Sequence, residues 1–318
     1  RINALKRKLE SFDYATMSDD RYYGGLMYMG AHTGRFSGSG GNLNLQNLPR
    51  GEMFGANLRH LVSPKKGKKL IVADLSQIEV RTLCWLAEDH TTLEEIKKSD
   101  DIYEAFAVRF GKWDYGKGAL KDEDPKLRHM VKTMVLGCGY GASAKKFAMI
   151  SGMSLMEAQS AVNLYRNKLQ KVVGLWNKLQ RDMHIAYAQN KEFKLKLPSG
   201  RTLNYGKITT ALQGGRRNYI AMLTKGSKKI PIRLWGGLLA ENISQALARD
   251  IFADMLLNID AKSINVIFHV HDEFVIEAEE SEADNVLKQV IESMSQAPGW
   301  IPDIPLAAEG KILERYEK

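Results

Sequence analysis

The chain has 318 residues, 44% of them hydrophobic and 26% charged, which is the balance of a globular protein with length for two domains or one large domain carrying an insertion. A net charge of +9 favours a polyanionic partner, although each basic cluster (65–69, 145–146, 216–217, 225–229) also reads as a solvated face. No apolar run is long enough to cross a bilayer, no signal peptide opens the chain, and Cys84 and Cys138 have no metal-ligand spacing, so reduced thiols in an intracellular protein are expected.

In chain order, Leu5 to Phe12 predicts a basic helix, and a start at Arg1 is expected either of the C-terminal portion of a longer protein or of a trimmed chain. Met29 to Pro49, rich in Gly, Ser and Asn, predicts turns. Leu70-Ile71-Val72-Ala73 reads as a fully covered strand with Asp74 at its end. Ser76 followed by Glu79 predicts a capping box that opens a helix running to Ala87. A strand that carries an acid to a helix N-terminus offers a place for a metal and a phosphate, while an Asx turn beside an ordinary cap accounts for the same residues.

Asp101 to Ala107 starts another helix, and Leu155 to Gln189 is helical, with Leu164, Leu175, Trp176 and Leu179 as core candidates. Between them Arg128, Lys132, Leu136 and Tyr140 step by four and share one helical stripe; Val131, Met134, Val135 and Cys138 fall on an inward face. Phe193 to Leu197 and Arg201 to Tyr205 alternate around Pro198-Ser199-Gly200 and predict a hairpin, where Arg201 is a template contact or a solvated arginine. Glu241 to Leu257 is a helix with a buried ridge of Ile243, Leu247, Ile251 and Met255. Ile264 to Val270 and Phe274 to Ile276 make a second hairpin with His271-Asp272-Glu273 at its tip. Asp74 and Asp272 on neighbouring strand ends can hold two divalent cations about 4 Å apart, an arrangement suited to in-line displacement at phosphorus. Mg²⁺ fits because it binds through one or two carboxylates plus substrate phosphates.

Three ordered motifs carry a resemblance. Asp74-Leu75-Ser76-Gln77-Ile78-Glu79-Val80-Arg81 resembles motif A of family A DNA polymerases, His271-Asp272-Glu273 their motif C, and Arg128-x-x-x-Lys132-x-x-x-Leu136-Gly137-x-x-Tyr140-Gly141 their fingers helix. Leu197 to Arg201 and Glu241 to Ala246 give it the flavour of the phage enzymes. The resemblance implies an α+β fold: a polymerase palm, made of an antiparallel sheet with helices, into which a mainly helical fingers subdomain is inserted, with the thumb mostly missing. Residues 1–20 would be the thumb remnant, 21–88 and 226–318 the two parts of the palm, and 89–225 the fingers.

The resemblance also implies roles. Asp74 and Asp272 are the catalytic carboxylates and, with the Leu75 backbone carbonyl, the ligands of two Mg²⁺ ions for which Mn²⁺ can substitute. Arg128 and Lys132 hold the triphosphate, Tyr140 stacks near the templating base, and Gln77, Glu79, Leu136 and Tyr103 complete the nucleotide site, Glu79 as a steric gate against a 2′ hydroxyl. Gly137 and Gly141 leave room for backbone approach. Arg35, Gln46, Asn47, Arg201, Gln245 and His271 face primer-template DNA, and Glu273 shapes the tip. The sequence departs from the family at Leu136, where an aromatic is usual, and at Tyr103, where His is usual and a positive charge is lost.

The implied reaction is addition of deoxynucleoside triphosphates to a primer 3′ end, by a monomer that replication accessory proteins can join, in the cytoplasm of a bacterial cell or a phage-infected host. Two rivals stand beside it: a single-subunit RNA polymerase, against which Ser76-Gln77-Ile78-Glu79 argues, and a non-catalytic nucleic-acid clamp, which has no need of both acids together with Arg128 and Lys132.

Overall fold

The computed structural model describes residues 2–38, 44–49, 51–225 and 228–317; residues 39–43 of the predicted turns and 226–227 of one basic cluster lie outside the described residues. In chain order the elements are α1 (Ile2–Ala15), β1 (Leu26–Met27), β2 (Ser37–Gly38), β3 (Lys68–Leu75), α2 (Ile78–Leu86), α3 (His90–Ile96), α4 (Ile102–Arg109), α5 (Leu120–Glu123) and α6 (Pro125–Cys138). There follow α7 (Ala144–Ser151), α8 (Leu155–Lys168), α9 (Gln170–Ala188), β4 (Glu192–Lys196), β5 (Thr202–Lys207), β6 (Thr209–Gln213), β7 (Arg216–Lys225) and β8 (Lys228–Leu234). The last are α10 (Gly236–Ala261), β9 (Val266–Val270), β10 (Glu273–Glu279), α11 (Ala283–Ser295) and β11 (Ala308–Leu313).

Two compact units result, one of Arg1–Ser76, Arg249–Gly299 and Leu306–Lys318, the other of Gln77–Ala248 and Trp300–Pro305. The first is built on an antiparallel sheet of order β11-β3-β10-β9. Its central strand β3 is apolar on both faces, as a strand covered from both sides must be. Leu70, Ile71 and Ala73 are fully buried, each large aliphatic side chain contributing about 1.5–3 kcal/mol by leaving water.

Alternation sends Leu70, Val72 and Asp74 to one face, where Leu70 and Val72 pack with Val270, Val275 and Tyr316. On the other face Phe252 of α10 stacks on Phe274 of β10 at 4.2 Å, and α11 packs on β11 and β3.

The second unit is helical from α2 to α9, followed by the predicted hairpin β4–β5 and a three-stranded sheet β6-β7-β8 for which no expectation had been drawn. The long helical stretch is two helices, broken at Leu169, whose φ of −112° and ψ of 52° are not helical. Of its predicted core residues Trp176 and Leu179 are buried, and Leu164 and Leu175 half-buried. The ridge Ile243, Leu247, Ile251 and Met255 is buried as predicted, on a helix that begins at Gly236. Cys84 and Cys138 are free and buried. Among the described residues no helix is long and apolar enough to cross a membrane.

Candidate active site

In the first unit the backbone positions of the two acids stand at one end of the sheet. Asp272 is the second residue of a two-residue turn joining β9 to β10, because Val270 pairs with Glu273. So tight a reversal favours positive φ, and His271 takes it at 57°. The Leu75 N–H donates to the Asp272 carbonyl at 3.1 Å, and the Ser76 N–H to the Ala307 carbonyl at 2.8 Å, so the end of β3 is held from both sides. Asp74 and Asp272 are both half-buried, and His271 is exposed.

The turn rests on a buried polar chain that ties Glu273, expected to shape the tip, to Tyr316 and Arg59, for which no role was expected. Glu273 is 0% exposed and pairs directly across from Asp74. Tyr316 donates its hydroxyl to Glu273 Oε1 at 2.6 Å and accepts from Arg59 Nη1 at 3.0 Å. Arg59 also donates to the Pro49 carbonyl at 3.1 Å, and its guanidinium lies 5.0 Å from the centre of the Tyr316 ring. Burial, then the Glu273 carboxylate, pushes the Tyr316 phenol far above its ordinary value, so it stays a donor. Nothing in the local pattern joins Arg59, Glu273 and Tyr316; only the fold does.

The residues expected to face DNA in this unit lie around the first loop. Arg35 is half-buried and Asn47 exposed. Gln46 is only 8% exposed, inside a 3-10 turn (Leu45–Asn47) capped by Asn44, and its Nε2 has no hydrogen-bond partner among the described residues. The loop is anchored by Phe36, which packs on His269 at 4.5 Å, and by Arg249, whose guanidinium sits 4.8 Å from the Tyr28 ring and 5.1 Å from Phe36.

In the second unit, the helix after β3 begins one residue later than the expected cap. The N-cap of α2 is Gln77, not Ser76, and its φ of 50° and ψ of 47° are left-handed, with no side-chain cap. Continuing β3 straight into a helix requires one residue to turn the chain sharply, and Gln77 absorbs that turn. The Glu79 Oε2 accepts from the Tyr140 hydroxyl at 3.4 Å. Burial, then the Glu79 charge, holds the Tyr140 phenol well above its ordinary range.

Helix α6 opens with Asp124 as cap and Pro125 in its first turn, both suited to those positions. Val131, Met134, Val135 and Cys138 are buried as predicted, and Arg128, Lys132 and Leu136 form the outer stripe, Leu136 at 50% exposure. Tyr140 lies just past the helix end. Arg128 grips both carboxylate oxygens of Asp101, its Nη2 at 3.3 Å from Oδ1, and this pairing raises the guanidinium above its ordinary value. Asp101 also caps α4 by accepting from the Tyr103 N–H at 3.0 Å.

Tyr103 is 3% exposed and lies beneath the cations, with Arg128 5.3 Å and Lys132 5.6 Å from its ring centre. Burial pushes its phenol up to about 12. Contact between this ring and a nucleotide would require the two cations to move aside.

Gly137 departs from its expected reason: a Cβ there would stand 2.9 Å from the Phe147 ring, so the space it leaves is filled by α7 rather than kept for a ligand. Gly141 has φ of 80°, which favours glycine for backbone reasons alone. Arg201 donates to the Ala246 carbonyl at 3.0 Å and is half-buried, and Gln245 Nε2 donates within its helix to Glu241 at 3.4 Å.

Asp74, Asp272 and the Leu75 carbonyl offer oxygen alone, the donor set that Mg²⁺ takes. In an extended strand the N–H and C=O of one residue project to the same side, so the Leu75 carbonyl, like its N–H, faces the Asp272 turn. Among the described residues no group of three or more His, Cys, Asp or Glu converges to hold a metal. Two carboxylates remain, which suits a cation that completes its shell with water and phosphate.

The fold thus sets an acid at the end of one strand and another in the turn beside it, on an antiparallel sheet packed with helices. The sequence profile of DNA polymerase family A matches residues 5–318, and the chain belongs to that family. A DNA polymerase of Bacillus phage SP02 is 28% identical over 98% of this chain and 55% of its own length. The thermostable DNA polymerase I of Thermus filiformis is 27% identical over 87% of this chain and 30% of its own. A solved structure, the polymerase domain of Pol1 from M. smegmatis in complex with DNA primer-template and dNTP, superposes with a TM-score of 0.73 at 23% identity, over 99% of this chain and 52% of that one. That likeness carries the fold, α+β with palm and fingers. The chain spans about half the length of the phage relative.

Proposed function

We propose that the chain is the polymerising portion of a template-directed DNA polymerase, which joins a primer 3′ hydroxyl to the α-phosphate of a deoxynucleoside triphosphate and releases pyrophosphate. The observation that carries this reading is the Leu75 N–H to Asp272 carbonyl bond, which holds the end of the strand that carries Asp74 against the turn that carries Asp272. In the first unit Asp74, Asp272 and the Leu75 carbonyl would hold two Mg²⁺ ions, with Mn²⁺ as substitute. When bound, such ions lower the pKa of the attacking hydroxyl and stabilise the charge of the leaving group.

The chain's own residues do the rest. Arg128 and Lys132 bind the triphosphate and neutralise charge as pyrophosphate forms, with Asp101 and the Tyr103 ring holding them in place. Glu79, steadied by Tyr140, excludes a 2′ hydroxyl. Gln77, Leu136 and Tyr140 border the sugar and base. Arg35, Gln46, Asn47, Arg201, Gln245 and His271 take the primer-template, and the buried Gln46 Nε2, with no partner among the described residues, supports a polar ligand there.

Primer extension with Mg²⁺ and each deoxynucleoside triphosphate tests the reading. Extension by the chain, lost in Asp74→Ala and Asp272→Ala while duplex binding persists, is the expected result. Appreciable extension by either variant would sink the assignment of the carboxylates, and DNA binding without extension by the unaltered chain would favour the clamp reading instead.

A further inference from the structure

Residues 193–240 contain ten Lys or Arg and no Asp or Glu, against a net charge of +9 for the whole chain. The excess positive charge therefore lies almost wholly in one segment, which folds as β4–β5 and the β6-β7-β8 sheet.

The register of that sheet shows what the segment presents. Strand β6 pairs only with Arg216 to Ile220 of β7, whereas β8 pairs with Tyr219 to Lys225. Beyond Ile220 the sheet is thus a two-stranded ribbon. Its root is fixed, with Tyr219 packed on His184 at 4.4 Å and on Tyr187 at 5.3 Å, and with Ala221 and Leu234 buried. Its outer part is uncovered: Met222 is 46% and Ile230 40% exposed, and Thr224, Lys228, Lys229, Pro231 and Arg233 are exposed too.

Alternation puts Lys229 and Arg233 on one face of the ribbon and Lys228, with Arg217 further down β7, on the other. An isolated two-stranded hairpin is at best marginally stable in water, so a ribbon with cations on both faces and no acid is suited to being held by an anionic partner.

We infer that the β7–β8 ribbon is a second DNA contact, gripping the phosphates of duplex DNA without regard to sequence. The major groove admits a two-stranded β-ribbon, and cations on both faces can meet the phosphates of both groove walls. Single strands are bound on aromatic platforms, and the one aromatic of the three strands, Tyr219, is engaged with α9. The choice of DNA as the polyanion rests on the polymerase reading above; the ribbon's charge and geometry do not.

The test is equilibrium binding of an unprimed blunt duplex, without nucleotide, across a salt series. A variant carrying Lys228→Gln, Lys229→Gln and Arg233→Gln is compared with one carrying the same charge change at exposed Lys112, Lys121 and Lys171. The ribbon variant should lower the slope of log K against log salt by about 2–3 and weaken binding about tenfold or more at low salt, the other variant changing little. Unchanged melting temperatures confirm folding.

Equal losses in both variants, or no loss in the ribbon variant, would overturn the inference. A loss as large on a single strand of the same length would overturn the commitment to duplex. Primer extension is scored separately, so a chain that shows the slope effect but does not extend fails the polymerase reading alone.

Discussion

The Tyr140 hydroxyl reaches the Glu79 carboxylate at 3.4 Å, joining the residue just past α6 to the first turn of α2. Under the proposed function, Glu79→Ala should raise ribonucleotide incorporation by removing the side chain proposed to exclude a 2′ hydroxyl. Tyr140→Phe should shift discrimination the same way but less, about fivefold, since one hydrogen bond to a charged group is lost while the carboxylate remains. Single-nucleotide kcat/KM values for matched ribo and deoxy substrates check both; identical ratios in all three proteins would leave Glu79 without a gating role.

Arg128 sets its Nε and Nη2 on the two carboxylate oxygens of Asp101. Arg128→Ala should raise the KM for deoxynucleoside triphosphates about tenfold or more and leave primer-template affinity unchanged. Arg128→Lys should recover little, because a point charge cannot reproduce the paired contact. Steady-state kinetics with titrated nucleotide distinguish these outcomes, and a changed DNA affinity would move Arg128 out of the nucleotide site.

Gly137→Ala places a methyl 2.9 Å from Phe147. The overpacking should cost about 1–3 kcal/mol in chemical denaturation. Adding Phe147→Leu should recover much of it. Failure of the double variant to recover would return Gly137 to the expected role of admitting a ligand.

His269 lies buried among Phe36 and Phe252, and burial, with His271 nearby, lowers its pKa to about 4. Between pH 6.5 and 4 the unfolded chain takes up a proton that the folded one refuses. This contribution to stability is complete above about 6.5 and falls as pH drops, by roughly 3 kcal/mol in all. Melting temperatures from pH 7 to 4 should fall less steeply for His269→Phe than for the unaltered chain. Parallel curves would show that His269 does not carry the proton.

Much of this was legible in the sequence because it depends on short-range pattern. The apolar run before Asp74, the turn-bound acid Asp272 and the two faces of α6 follow from period and composition. What escaped depends on partners distant in sequence or on backbone angles. Gln77 displaces Ser76 as cap because the strand must turn sharply into the helix, which no side-chain pattern announces. Gly137 owes its identity to Phe147 in the next helix, and Glu273 to Tyr316 and Arg59. Leu169 breaks a stretch whose composition is helical throughout. The β6-β7-β8 sheet lacks the clean alternation of a half-buried strand because its outer part is uncovered on both sides.

In the sheet order β11-β3-β10-β9, both neighbours of β3 arrive from about two hundred positions later in the chain. At ribosomal speed that interval is roughly ten to forty seconds, during which the nascent Leu70–Leu75 segment has two open edges and no sheet to join. Truncated products that stop before Val266 should accordingly be sticky and dependent on chaperones, and Asp74 and Asp272 are brought to one sheet end only after nearly all of these residues have been translated.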